Sequence, residues 1–214
     1  MTSHIARGAL ALSLVLVGAA TPAQDGGGGG FGGFDLTVHG GVDKYDAIGF
    51  KSGLNSTDFS DAEQMRDASQ TYGATAILRF GALSVGALAE RGRPGRANAT
   101  TTIGALAGLN LPLGRLQLDA LGELGGQRYG DALHDPGVIV DSDRADWLAY
   151  VGLRPGISIH LGERGGLLVG IWGYARWDVM EKDVKVTLAN GTGSGTYTLG
   201  GTQLGAALRL GFSL

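Results

Sequence analysis

The chain has no cysteine, and none of its apolar runs reaches the 18 or more residues that a membrane-crossing helix needs. Without cysteine, disulfides, thiolate metal sites and the lipid-bearing cysteine of a lipoprotein are all excluded. Without a long apolar run, a helical membrane protein is excluded as well. Charge is also scarce: Asp, Glu, Lys and Arg make up 17% of the residues, below the usual quarter or so. A net charge of −3 supplies no basic field, so no nucleic-acid partner is expected. The abundant residue is glycine, 40 of 214, in a chain whose hydrophobic content is an ordinary 43%.

The N-terminal segment reads as an export address. His4 and Arg7 lie in a short polar region, Gly8 to Ala19 is apolar, and small residues follow at Ala20 and Ala23. This is the layout of a secretory signal peptide over residues 1–23, cleaved after Ala23 or, alternatively, after Ala20. Residues 24–33, dominated by glycine, read as a flexible linker with few side chains to bury.

From Phe34 to Leu214 the main signal is a period of two, the mark of strands whose faces meet different surroundings. Leu36, Val38 and Val42 alternate with Asp35, Thr37, His39 and Asp43 in a first strand over residues 33–43. The same pattern recurs seven times, starting near residues 71, 83, 102, 116, 147, 169 and 203. In the seventh strand, turning Arg176 and Asp178 inward also puts Trp172 and Tyr174 inside. Connections after the second, fourth and sixth strands are a few residues long. Those after the first, third, fifth and seventh span residues 44–69, 91–99, 129–144 and 180–196. Up-and-down membrane barrels show this asymmetry, with brief turns on the periplasmic side and longer loops outside.

The expected fold is therefore all-β: a closed, antiparallel, up-and-down transmembrane barrel of eight strands over residues 34–214. A spanning sheet must satisfy its backbone internally, so it closes on itself. At eight strands the bore is just wide enough to be filled by side chains. The inward faces carry Arg79, Glu90, Asp119, Glu123, Arg154, Arg176 and Arg209, which form a charge network in the lumen. The outward faces are nearly uncharged at their centres, as expected where Arg or Lys at the bilayer midplane costs about 2–4 kcal/mol. A soluble lipocalin-type barrel would have the opposite polarity. Aromatics sit near strand ends, with Phe34, Phe80 and Phe212 on the turn side and Tyr72, Trp147 and Trp177 on the loop side.

Gln203, Gly205, Leu208, Leu210 and Phe212 resemble the C-terminal β-signal of bacterial outer-membrane proteins, although the chain ends Phe212-Ser213-Leu214 without the usual final aromatic. Over residues 34–214 the strand count and loop alternation resemble the small OmpA-type and OmpX-type barrels. The resemblance implies folding by the barrel-assembly machinery after passage through the periplasm, and residence in the outer membrane as a monomer in contact with lipid and lipopolysaccharide.

Some barrels of this size modify lipid A. Ser158 and His160, with Glu163 nearby, supply the residue types of a nucleophile, base and orienting acid. They lie at the turn side, however, and their order reverses the His-x-Ser of the deacylases. Lumen filling explains them better, and it explains His39 too. Asp131, Asp135, Asp141, Asp143 and Asp146 match no defined calcium-loop spacing and read as a solvated acidic loop. Arg91, Arg93 and Arg96 are candidates for lipopolysaccharide phosphates, or else form a solvated turn. No catalytic residue, metal or cofactor is expected. The expected function is a structural or surface-interaction role with a plugged lumen. The alternatives are a narrow porin-like channel for small solutes and a lipid A-modifying enzyme.

Overall fold

The computed structural model describes residues 32–52, 68–94, 100–128, 138–140, 147–162, 166–188 and 194–214. The signal segment, most of the glycine linker, the five loop aspartates, Arg96 and Glu163 lie outside the described residues, and Arg93 is described by its backbone alone.

Ten strands follow one another: β1 (Gly32–Ser52), β2 (Ala68–Phe80), β3 (Leu83–Pro94), β4 (Thr100–Leu113), β5 (Leu116–Arg128), β6 (Val138–Val140), β7 (Trp147–Leu161), β8 (Leu167–Asp178), β9 (Lys182–Leu188) and β10 (Ser194–Ser213). Eight of them, β1, β2, β3, β4, β5, β7, β8 and β10, pair in that order, and β10 returns to β1 to close the barrel. Every pairing in the ring is antiparallel. The expected eight-stranded up-and-down barrel is thus the fold of the chain.

Two of the tight turns begin on glycines that use the left-handed region, Gly81 (φ 61°) and Gly114 (φ 67°). Each opens a two-residue hairpin loop, where glycine tolerates a backbone whose twist matches the flanking strands.

The register fixes the tilt. A row followed across the ladders from Trp147 passes Arg128, Thr101, Arg91, Tyr72, Gly40, Leu208 and Ile171. It returns to β7 at Ile157, ten residues further along. With ordinary strand spacings, this shear around eight strands corresponds to a tilt of about 40°. A strand of 13 residues such as β5 then stands about 30 Å tall, enough to cross the hydrocarbon layer of a bilayer.

Three expected loops contain strands. β1 continues to Ser52 and β10 starts at Ser194, so the two pair well beyond the ring. β9 folds back on β10, and β6 pairs with β9. The segments 44–69, 129–144 and 180–196 are therefore partly ordered sheet extending from the loop-side rim. Lys182 to Leu188 does alternate, but seven residues are too few to span a bilayer, and a search for spanning strands passes over them.

Polarity is inverted relative to a soluble protein, as in a small transmembrane barrel. Val38, Leu124 and Leu208 are 60%, 62% and 67% exposed on the outside, whereas Arg154, Arg176 and Arg209 are almost fully buried inside. The phase expected for the seventh strand is the one observed in β8: Trp172, Tyr174 and Arg176 are buried, while Ile171 and Trp177 face out. Phe34 departs from expectation. It is buried, and the turn-side aromatics exposed on the outer surface are Phe80 and Phe212.

Candidate functional site in the barrel lumen

The lumen is built in tiers, because alternate residues of each strand face inward and neighbouring inward positions differ in chemistry. On β5 the succession is Asp119, Leu121, Glu123, rising from the turn side. Those three residues mark a lower charged tier, an apolar tier and an upper charged tier.

In the lower tier Arg79 reaches across from β2. Its Nε donates to Asp35 Oδ2 at 2.7 Å, its Nη2 pairs with the same carboxylate, and its Nη1 donates to Asp119 Oδ1 at 3.0 Å. Arg209 Nη2 completes Asp119 at 2.6 Å and also donates to Ser158 Oγ at 2.5 Å. Gln117 donates to Asp119 and meets His160 Nε2 at 2.9 Å. Ser158 is thus engaged by Arg209, and His160 by Gln117. No bond joins Ser158 to His160 among the described residues.

In the upper tier two carboxylates face two guanidiniums in a closed square. Glu90 pairs with Arg154 Nη2 (2.6 Å) and with Arg176, and Glu123 pairs with Arg176 Nε (2.6 Å) and with Arg154. His39 Nε2 lies 2.8 Å from Glu90. Arg176 Nη1 then donates to Gln203 Oε1 at 3.2 Å, and Gln203 Nε2 donates to Asp43 Oδ2 at 2.6 Å. Asp43 also accepts from Ser69 and from the Tyr174 hydroxyl at 2.9 Å. Such pairing is what makes buried charge tolerable, since an ion buried alone costs several kcal/mol.

Between the tiers sit Ile77, Leu88, Leu106, Leu121 and Trp172, a contiguous buried apolar cluster. Trp172 links the two charged tiers. Arg154 from above lies 4.9 Å from its ring centroid and Arg209 from below lies 4.4 Å, both within cation–π range. The arrangement packs large side chains into the middle of the bore, beside a buried hydroxyl pair in which Thr37 and Thr75 lie 2.6 Å apart. Among the described residues no group of His, Asp and Glu could hold a metal ion.

All seven residues named for the charge network are buried here, and each takes part in at least one ion pair. Asp35 and Asp43, both on the inward phase of β1, belong to the network as well. The apolar tier has its own signal in the sequence, a large aliphatic residue at inward positions such as Leu88, Leu106 and Leu121. The proposed assembly-signal residues divide between the faces. Gln203 joins the lumen network, Gly205 backs the Tyr174 ring, and Leu208, Leu210 and Phe212 face outward.

Packing around Trp172 allows a test. A Cβ on Gly156 would collide with the indole at Cδ1 and Nε1, and two arginines limit where the ring can move. Gly156→Ala is expected to cost about 1–3 kcal/mol. Gly122→Ala, where the new Cβ meets only Ala107 O at 3.5 Å on the outer face, should be near neutral. Urea midpoints of the refolded protein in micelles compare the two, and equal midpoints would refute the packing account.

No known protein family and no curated protein matches the sequence. Among solved structures, the crystal structure of Neisserial surface protein A is similar to this chain with a TM-score of 0.48 and 13% identity, over 85% of this chain and 98% of that one.

Proposed function

We propose that this chain is an integral protein of the bacterial outer membrane, non-enzymatic, with a structural or surface-interaction role exercised from its loop-side rim. The observation that carries this reading is the inverted polarity: an apolar outer wall about 30 Å tall around a lumen of ion-paired Arg, Asp and Glu. Water would penalise such a wall, and hydrocarbon would accept it. Export through residues 1–23, assembly by the barrel-assembly machinery at the 203–212 signal, and a monomeric state belong to the same reading.

Fractionation of the expressing cell tests the proposal. The protein should appear in the outer-membrane fraction and migrate differently in SDS before and after boiling. Recovery from the soluble periplasm with no such shift would refute it. The apolar tier supports a plugged bore, so planar-bilayer recordings on the inserted protein should show no conductance. A steady ionic current would instead establish the narrow channel.

A further inference from the structure

The outward-facing residues at the loop-side rim are not uniform. One row across the ladders reads Tyr72, Arg91, Thr101, Arg128, Trp147 on β2, β3, β4, β5 and β7. Arg91 and Arg128 flank Thr101, two strand spacings or about 10 Å apart. Tyr72 and Trp147, both well exposed, close the row at its ends. The row descends as it passes to β1, where it reaches Gly40; Lys44, four residues nearer the loops, pairs with Leu204 of β10 and stands on the far side of the ring from Arg128.

None of Lys44, Arg91 and Arg128 is ion-paired among the described residues, and Arg128 Nε is shielded from solvent with no hydrogen-bond partner. The outward positions of β2 to β5, and of β1 up to Lys44, hold no carboxylate. Across the barrel from Arg128, the same rim presents Trp177 and Leu204, the latter beside Lys44. Every lumen arginine has an acid partner, whereas Arg91 and Arg128 stand at the upper edge of an apolar wall without one among the described residues.

We infer that the outward rim formed by β3 and β5 binds the phosphates of an anionic lipid through Arg91 and Arg128, with Tyr72 and Trp147 seated at the same interface. This inference rests on the membrane reading and goes beyond it by naming the ligand chemistry and the arc. Guanidiniums pair with phosphate oxygens through two parallel hydrogen bonds. Aromatic rings of this kind settle at headgroup level. A ligand anchored in the bilayer, unlike a free ion, also reaches side chains that face away from the lumen.

The full chain in zwitterionic lipid nanodiscs, titrated with bisphosphorylated lipid A and with its dephosphorylated form, tests the inference. The wild type should prefer the phosphorylated lipid. Arg91→Gln and Arg128→Gln should each weaken that binding about fivefold and the double variant about 25-fold, whereas Lys44→Gln should leave it unchanged. The heat-dependent gel shift should be unchanged in each variant that is scored. Equal affinity for the two lipids, or undiminished binding by the single arginine variants, would overturn the inference. So would equally effective competition by inorganic phosphate at matched concentration, which would assign the site to a free ion. If the wild type fails to insert into nanodiscs at all, the membrane reading fails instead.

Discussion

Replacing Arg176 by methionine is expected to destabilise the folded barrel by about 3–5 kcal/mol, the cost of removing one partner from a buried ion pair. Arg176 serves Glu90 and Glu123 at once, donates to Gln203, and lies 4.6 Å from the Tyr174 ring centroid. Methionine would fill part of the volume but leave two buried carboxylates with a single guanidinium, Arg154, between them, and His39 as the other partner of Glu90. Adding Glu90→Gln to Arg176→Met removes one of the stranded charges. The double variant should therefore be more stable than the sum of the single changes, by an amount that a double-mutant cycle reads directly. Urea unfolding in micelles supplies the four values. If Arg176→Met unfolds at the wild-type midpoint, the upper tier does not hold the barrel together.

Leu208→Arg carries the second large effect. Leu208 is 67% exposed near mid-height on β10, and at an exposed site of a soluble protein such a change is worth within about 0.5 kcal/mol. If the wall faces lipid, the same substitution should cost about 2–4 kcal/mol and lower the yield of folded protein in vesicles. Leu214→Arg, at the end of the chain, should cost about 0–1 kcal/mol. A neutral outcome for Leu208→Arg in a bilayer would refute a lipid-facing wall.

Most of the ring was legible because two-residue alternation is a strong signal wherever lumen and exterior differ. Asp119, Glu123 and Arg154 could be placed inward from their neighbours alone. Trp172 could not, because a bulky aromatic suits either face. Its phase was set by Arg176 four residues later. The pairing of charges was not legible, because Arg176 meets Glu90 across the bore and no local pattern encodes that contact. The rim extension was missed for a different reason: β9 and the upper part of β10 are held by each other rather than by a bilayer, so their length carries no spanning signature. The outward row of Arg91 and Arg128 emerged only once the register placed both beside Thr101. The sequence had grouped Arg91 with its chain neighbours instead.

The way the lumen is wired also dictates how the barrel can be made. Glu90 on β3 receives its guanidiniums from β7 and β8, Asp119 on β5 receives Arg209 from β10, and Asp43 on β1 receives Tyr174 and Gln203 from β8 and β10. Acids contributed early in the chain are thus matched largely by groups that arrive late. A half-built sheet would match Asp35 with Arg79 but leave Glu90 and Glu123 without a guanidinium. Such long-range closure makes assembly slow and strongly cooperative. A chain cut after β5 should hold no native-like fragment, because the guanidiniums that pair Glu90 and Glu123, and the second one on Asp119, are on the missing half.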